Sequence, residues 1–423
     1  MANPLDALLA GLEKADGGIA MTAQEFADAQ YGIPLKHYCL QYVLGSTGLR
    51  YGAFYLAAGK PKSCKSPFVF DILKTCCQEG GISYLYELEG KASPTLIKSM
   101  FSDTPELITS SRSPFKLIKG LTLDKAQEHL VKTVLKTFKK ASIYNIPLCI
   151  DWDSISGAGM TDVVEKIEKE GSVSKGFYDK PHVMKYLSEN WSALVGNLPV
   201  VFVGVLQEKE GAAEGVGPMA RPKASYGGGS SQLFKAGTLL SFAFRNMPSG
   251  TGKIVTIKTA MNGFADARKI EAKFVWDQFG NLETESQGHK WCWAEASAQC
   301  LANPVVVGQL RDIIDVKMND QGLVTCSQLD VTKVTPTEFE ESLFSEEHAD
   351  VLENLYRYHK IEKIKTPAEY AEFVDRLDNK EKAFKEASKA AAKEEKEALK
   401  QAEVEKEAAK KARKEAKAKK VID

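Results

Sequence analysis

Residues 57–66 read AAGKPKSCKS and differ from a phosphate-binding loop at one position. The P-loop pattern is G-x-x-x-x-G-K-[ST], and it would run here from Gly59 to Ser66, with Cys64 in place of the second glycine. An apolar run, AFYLAA, precedes the loop, and PFVFDILKTCCQEGG follows it. Pro67 is acceptable at the start of a helix, where N–H groups have no intrahelical acceptor. The pattern therefore predicts a strand, a loop and a helix.

In such a unit the backbone N–H groups at the helix N-terminus can hold phosphates, Lys65 can reach the β and γ phosphates, and Ser66 can bind Mg²⁺. The alternative is a Gly/Lys-rich surface turn. Glycine permits unusual φ angles, so a cysteine there must adopt a permitted conformation or cost on the order of 1 kcal/mol. The predicted nucleotide site comprises Gly59, Lys60, Pro61, Lys62, Ser63, Cys64, Lys65 and Ser66.

Short, nearly continuous apolar runs recur along the chain, as strands of a parallel sheet covered on both faces do. Helical patterns lie between them, and one of these places Leu123, Leu130, Val134 and Phe138 on a single face. The alternation predicts an α/β core with a mostly parallel central sheet, as in P-loop ATPases. The predicted strands are AFYLAA (53–58), ISYLYEL (82–88), IPLCID (146–151), LPVVFVGV (198–205), LLSFAFR (239–245), IVTIK (254–258) and IEAKFVW (270–276).

Composition sets limits on the class of protein. The chain has 423 residues, 43% of them hydrophobic, which suits two or three domains with sizeable cores. It shows neither a membrane span nor a basic start followed by an apolar run, so we expect a cytoplasmic protein without a membrane partner. Its eight cysteines contain no CxxC pair, and His289, Cys292 and Cys300 lack the spacing of a metal site.

The rhythm of the sequence changes after the last predicted strand. Residues 277–378 predict a small, mainly helical C-terminal domain, and 379–423 form a Lys/Glu/Ala-rich tail, either a solvated helix or disordered. Within the tail, residues 380–423 hold 15 basic and 10 acidic residues. At the other end, residues 1–33 predict a helical segment that docks on an adjacent protomer or folds back on its own core. The predicted α/β core lies between these two segments.

Acidic residues end two of the predicted strands. IPLCIDWDSIS ends with Asp151 and Asp153, one of which should bind the Mg²⁺ of a P-loop enzyme, although paired aspartates also merely cap strands. ISYLYELEG ends with Glu87 and Glu89, where a carboxylate can deprotonate an attacking water. Acids at strand ends are common, so this second signal is weak.

A fourth apolar strand delivers Gln207 to the same edge. A Gly/Ser/Ala-rich span of about thirty residues follows it, and structureless loops of that length are functional or disordered. Backbone amides and basic residues in this span can hold a phosphate chain, and a flexible surface loop is the alternative. The candidate DNA-binding residues in this span are Met219, Arg221, Lys223, Tyr226, Gly227, Gly228, Gly229 and Lys235.

Five elements in this order resemble the RecA-type DNA recombinases, closest to their bacteriophage UvsX-like branch. The resemblance covers residues 34–276 and begins with IPLKHYCLQYVLGSTGLRYGAFYLAAGKPKSCKS. It continues through ISYLYELEG, CIDWDSISG, VVFVGVLQ and YGGGSSQLFKAG. The cysteine at position 64 and the basic tail depart from the family pattern.

The resemblance implies roles for single residues. Glu89 would be the catalytic glutamate, the serine after Asp153 selects that aspartate as the Mg²⁺ ligand, and Gln207 would sense the γ-phosphate. Lys258 resembles a lysine that reaches the ATP of the neighbouring subunit. A second such lysine is Ala260 here, so that contact would be partly lost, or Lys253 or Arg268 would supply it. Residues 166–181 would form a first DNA-binding loop.

The function implied is an ATP-dependent recombinase that uses ATP and Mg²⁺. It would form helical filaments on single-stranded DNA, pair them with double-stranded DNA, and work with a recombination mediator or a single-strand-binding protein. Met219 and Tyr226 would act as wedges or stacking groups, or simply pack within the loop. The basic residues of 410–420 would hold duplex DNA or a partner, or stay solvated. The alternatives are a ring helicase on the same core, and a filament-forming DNA-binding protein with weak or lost ATPase.

Overall fold

The computed structural model describes most of the chain between residues 30 and 377. The described ranges are 30–170, 180–214, 221–226, 236–262, 267–276, 289–302 and 312–377, with Leu233, Leu310 and scattered positions from 379 to 390. Gln30–Tyr370 form one compact unit. Residues 391–423 of the predicted tail (379–423) and residues 1–29 of the predicted N-terminal segment (1–33) lie outside the described residues.

A ten-stranded sheet forms the centre of this unit. Its strands are β3 (Phe54–Gly59), β4 (Ile82–Glu87), β5 (Phe115–Lys119), β6 (Leu148–Asp153), β7 (Val200–Glu214), β8 (Arg221–Tyr226), β9 (Thr238–Asn246), β10 (Gly252–Asn262), β11 (Lys269–Val275) and β12 (Lys290–Trp291). Nine of these strands follow the order β12-β11-β10-β9-β3-β7-β6-β4-β5, and β8 pairs with β7 outside this path. Two short strands, β1 (Gly32–Pro34) and β2 (Gly48–Arg50), pair separately.

The sheet is parallel on one side and antiparallel on the other. Strands β5, β4, β6, β7, β3 and β9 run parallel to one another. Beyond β9, the strands β10, β11 and β12 continue as an antiparallel meander. This arrangement confirms the predicted α/β class and the mostly parallel central sheet, and it is compatible with a RecA-like core.

Helices cover the sheet because its central strands are apolar on both faces. One core contains α2 (Lys65–Gln78) and α3 (Pro94–Met100), and the other contains α5 (Leu123–His129) and α8 (Lys180–Val195). A π-helical segment, 130–135, joins α5 to α6 (Lys136–Ala141). The remaining helices of this part are α1 (Tyr38–Leu44), α4 (Glu106–Thr109) and α7 (Thr161–Glu170).

The C-terminal part of the compact unit has mixed structure. A third core joins Tyr38 of α1 to α9 (Trp293–Ala302), α10 (Pro336–Leu343) and α11 (Ala349–Tyr358). It also includes an antiparallel sheet of β13 (Val316–Met318), β14 (Val324–Cys326) and β15 (Val331–Val334). The sequence predicted a mainly helical region here and missed these three short strands. The proposed domain boundary at residue 277 stays a prediction.

Candidate functional site

The loop between β3 and α2 folds back over its own lysine. Lys65 is buried at the start of α2, and its Nζ donates to Gly59 O at 3.0 Å and to Lys60 O at 2.8 Å. Ser63 Oγ lies 3.3 Å from the same nitrogen. Burial lowers the pKa of Lys65, and the Asp153 and Glu89 carboxylates oppose this shift. The loop thus surrounds an ammonium group at the N-terminus of a fourteen-residue helix.

Cys64 takes the backbone conformation that glycine usually provides. It is the N-cap of α2 with φ 63° and ψ 26°, in the left-handed region, and Lys62 has φ 65°. Non-glycine residues in this region cost about 1 kcal/mol or more. The Cys64 side chain is buried, and burial raises the pKa of its thiol to about 11. The loop therefore keeps its shape at an energetic cost.

Asp153 and Ser66 lie together next to Lys65. The Ser66 hydroxyl donates a hydrogen bond to the Asp153 carboxylate, at the end of β6. Burial raises the pKa of Asp153 to about 6, the bond from Ser66 opposes this, and the nearby Glu89 carboxylate adds to it. A carboxylate and a hydroxyl oxygen are ligands that Mg²⁺ accepts when it keeps several waters. These two residues match the predicted metal ligands.

Glu89 and Gln207 are in direct contact. Gln207 Nε2 donates to Glu89 Oε1 at 2.6 Å, and the Ser154 hydroxyl donates to the same oxygen. Lys91 Nζ donates to Glu89 Oε2 at 2.7 Å. Strand register across β6 explains the meeting, because Glu87 pairs with Asp153 between β4 and β6, and Trp152 pairs with Gly204 between β6 and β7. The structure thus brings the predicted general base and the predicted phosphate sensor together.

A close backbone approach makes room for Glu89. A Cβ atom at Gly157 would overlap the Glu89 carboxylate. The backbone N–H of Gln207 donates to Ser156 Oγ at 2.8 Å, which holds the end of the buried part of β7 against the turn after β6. The peptide between Asp153 and Ser154 in that turn is cis. Any side chain at residue 157 would therefore displace Glu89.

The inner acid of each pair is buried away from this cluster. Glu87 Oε1 accepts from the backbone N–H groups of Lys91 at 2.6 Å and Ala92 at 3.2 Å. Asp151 is fully buried, neither of its oxygens has a hydrogen-bond partner, and burial raises its pKa well above the ordinary value. The sequence left the choice within each pair to the family resemblance. The geometry places the outer acids, Glu89 and Asp153, beside Lys65.

Three basic residues of the antiparallel half are predicted to contact the nucleotide of a neighbouring subunit. Lys258 is exposed on β10. Lys253, at the start of the same strand, donates to Lys62 O of its own chain at 2.5 Å. Arg268 is buried and donates to Tyr42 O at 2.7 Å and to His359 O. Arg268 is therefore engaged within the chain, and only the two lysines stand near solvent.

The span after Gln207 is more regular than the sequence suggested. Strand β7 continues to Glu214 and pairs in antiparallel fashion with β8, from Glu208 opposite Tyr226 to Glu214 opposite Arg221. The expectation of a long structureless loop is therefore wrong for 208–214 and 221–226. A run of small residues hid the strands because such residues give no alternating apolar pattern.

The candidate DNA-binding residues are only partly described. Tyr226 is half-buried and packs against the core that contains α5 and α8, as the loop-packing alternative expected. Arg221 and Lys223 lie on β8. Outside the described residues lie Met219, Gly227, Gly228, Gly229 and Lys235, as well as 171–179 of the first predicted DNA-binding loop.

Sequence reasoning missed several residues that complete the site. Ser156 and Gly157 follow Asp153 in the turn that receives Gln207 and Glu89. Lys91 follows Glu89 by two positions, and the spacing E-x-E-x-K is its only signal in the sequence. Such residues after a strand end cannot be assigned to the site from sequence, because their positions depend on the paths of the neighbouring turns.

Comparisons with known proteins add no family to this description. No protein-family model matches the chain, and no curated protein matches its sequence. Among the described residues, no group of three or more His, Cys, Asp or Glu side chains is arranged to hold a metal ion. No helix in the described part is long and apolar enough to cross a membrane. The function must therefore be argued from the site itself.

Proposed function

We propose that the chain is an ATP-dependent DNA recombinase of the RecA type, which forms filaments on single-stranded DNA and promotes homologous pairing. One observation carries this proposal: Lys65, Asp153, Glu89 and Gln207 come from four separate chain segments and meet at one edge of the parallel strands. Ligands of open α/β sheets bind beyond the carboxyl ends of the strands, where such groups converge.

The residues present fit a nucleotide with Mg²⁺. Lys65 and the first-turn N–H groups of α2 would bind the phosphates, and Ser66 and Asp153 would hold the metal ion. Mg²⁺ would supply neutralisation of charge on the phosphate oxygens. The Lys65 ammonium, held over the loop by Gly59 O and Lys60 O, would exchange those carbonyls for phosphate oxygens.

Hydrolysis would use Glu89 as the general base. Glu89 accepts the proton of a water whose oxygen bonds to the γ phosphorus, while the bond from that phosphorus to the bridging oxygen breaks. The products are ADP and phosphate. Gln207 donates one N–H of its amide to Glu89, and the second N–H of the same group would donate to the γ-phosphate.

Gln207 would couple the nucleotide to DNA. It lies on β7, whose continuation pairs with β8 to form a hairpin that starts one residue later, at Glu208. Basic residues of that hairpin and the glycine-rich residues after it would contact the single strand through phosphates and backbone N–H groups. Nucleotide-dependent ordering of a segment is a common switch in P-loop proteins.

An ATPase assay with and without single-stranded DNA tests the enzyme, beside Glu89→Gln and a matched Glu87→Gln variant. We expect DNA-stimulated turnover that Glu89→Gln lowers by about 100-fold or more, because general bases contribute that much. Glu87→Gln should keep turnover, since the amide oxygen still accepts from a backbone N–H. Equal background turnover in all three proteins would instead indicate a DNA-binding protein without ATPase.

Electron microscopy with single strands and a slowly hydrolysed ATP analogue tests the assembly. Helical filaments, together with pairing of a homologous duplex in the same buffer, are the expected result. Closed rings would contradict the recombinase and favour a motor on the same core.

A further inference from the structure

The three donors on the Glu89 carboxylate are divided unequally between its two oxygens. Oε1 accepts from the Gln207 amide and the Ser154 hydroxyl, whereas Oε2 accepts from Lys91 Nζ at 2.7 Å. A carboxylate oxygen has about two acceptor positions, so Oε1 is filled and Oε2 retains one. A water that gives its proton to Glu89 must therefore approach the oxygen that Lys91 holds.

The turn after β4 puts Lys91 in this place. The Glu87 carboxylate accepts from the backbone N–H groups of Lys91 and Ala92, which fixes residues 87–92 as a tight turn. The Glu89 side chain is 9% exposed and the Lys91 side chain 73% exposed. Glu89 therefore points inward, while Lys91 covers it from the solvent side. The hydrogen bond that Lys91 donates to Glu89 also raises the pKa of Lys91, so the ammonium stays charged.

We propose that Lys91 is a positioning residue that restrains the general base in the resting chain and releases Oε2 when nucleotide and single-stranded DNA bind. This inference rests on the proposed function. The exposed ammonium can turn into solvent without unfolding the turn, because Glu87 holds the backbone independently of the Lys91 side chain. Gln207 and Ser154 keep Oε1 in place meanwhile. The resting enzyme would then turn over slowly without DNA.

Amine footprinting of the full-length protein without nucleotide tests the contact directly. We expect acetylation of Lys91, followed by mass spectrometry, to be several-fold slower than acetylation of Lys98, an exposed lysine on α3 without an ion pair to a neighbouring strand end. Glu89→Gln should remove this difference. Equal rates at the two lysines in the unaltered chain would overturn the proposal.

Turnover of Lys91 variants tests the restraint. Lys91→Met should raise the ATPase rate without DNA about two- to fivefold, the range expected for a largely exposed ion pair, with KM for ATP unchanged. Lys91→Arg retains a donor and should keep the low rate, and Lys98→Met should have no effect. An unchanged or lower kcat in Lys91→Met, or a change in KM alone, would contradict the proposal.

The two experiments separate this inference from the function on which it rests. If no variant or unaltered protein hydrolyses ATP, the proposed enzyme fails, and the footprint still decides whether Lys91 covers Glu89. If the unaltered protein hydrolyses ATP and Lys91 behaves like Lys98 in both assays, only the role of Lys91 is wrong.

Discussion

The ends of β4 and β6 carry the same pattern, acid-x-acid, and the structure treats the inner acid of each in opposite ways. Glu87 accepts two backbone N–H groups and fixes a turn. Asp151, the inner acid on β6, lies opposite Leu85 and has no hydrogen-bond partner at either oxygen. The outer acids, Glu89 and Asp153, both face Lys65. An acid at a strand end therefore says little about function until its partners are known.

The two asparagine substitutions on β6, at Asp153 and at Asp151, should differ most in ATP turnover. Asp153→Asn removes the carboxylate that would hold Mg²⁺, so ATP turnover should fall about 100-fold or more, since a metal contributes several kcal/mol. Asp151→Asn, two residues earlier on the same face, should retain turnover. Steady-state ATPase rates with saturating Mg²⁺ measure the turnover of both variants. Equal losses of turnover would contradict the distinction between Asp151 and Asp153.

Alanine substitutions on β4 should separate stability from activity. Glu87→Ala leaves the N–H groups of Lys91 and Ala92 without their acceptor, and we expect the free energy of unfolding to fall by about 1–3 kcal/mol. Glu89→Ala removes the proposed general base and should cost mainly turnover. Urea unfolding of both variants measures the difference, and a smaller loss for Glu87→Ala than for Glu89→Ala would contradict this assignment.

Stability should depend on pH through Asp151. Burial raises the pKa of Asp151 above its ordinary value of 3.8. At pH values between the unfolded pKa and the folded pKa, the folded chain therefore keeps a proton that the unfolded chain releases. The free energy of unfolding should therefore fall as pH rises above about 4, by at most about 1.4 kcal/mol per pH unit. Asp151→Asn should flatten this slope. Denaturation between about pH 4 and pH 7 tests it, and an unchanged slope would mean that Asp151 is ionised when folded.

Substitution of Cys64 should have the smallest effects on stability and on nucleotide affinity. In Cys64→Gly, relief of the left-handed conformation and loss of a buried side chain oppose each other, so the free energy of unfolding should change by less than about 1 kcal/mol. Nucleotide affinity should be kept or improved. Alkylation of Cys64 should be slow near neutral pH, because its pKa is about 11, and should block nucleotide binding once complete. An alkylated protein that bound ATP normally would contradict the site.

The sequence predicted most of the central sheet because each strand is a short apolar run with a distinct boundary. All seven predicted strands lie within or overlap observed ones, and Leu123, Leu130 and Val134 are buried on one helix face as expected. The strands β13 to β15 have three or four residues each, too few to show a period. The pairing of β7 with β8 was missed for a different reason, the small side chains of 211–213.

The site was predicted as a set of strand ends, and its contacts were not. Parallel strands bring their carboxyl ends to one edge, which is sufficient to expect Asp153, Glu89 and Gln207 near the loop of Lys65. The bond from Gln207 to Glu89 depends on register, and the bond from Lys91 depends on a turn that Glu87 fixes. Neither strand register nor turn geometry can be predicted from the local pattern of apolar residues.

The neighbours of β3 have a consequence for how the chain is made. This strand, which carries the loop of Lys65, pairs with β7 and β9, more than 140 residues later in the sequence, and with no strand close to it. The ribosome synthesises the loop of Lys65 before β7 and β9, and both flanking strands are complete only once Asn246 has been synthesised. Contacts of such long sequence separation form slowly. A nascent chain shorter than this should not form the proposed nucleotide site, which would be complete only once the antiparallel half starts to emerge.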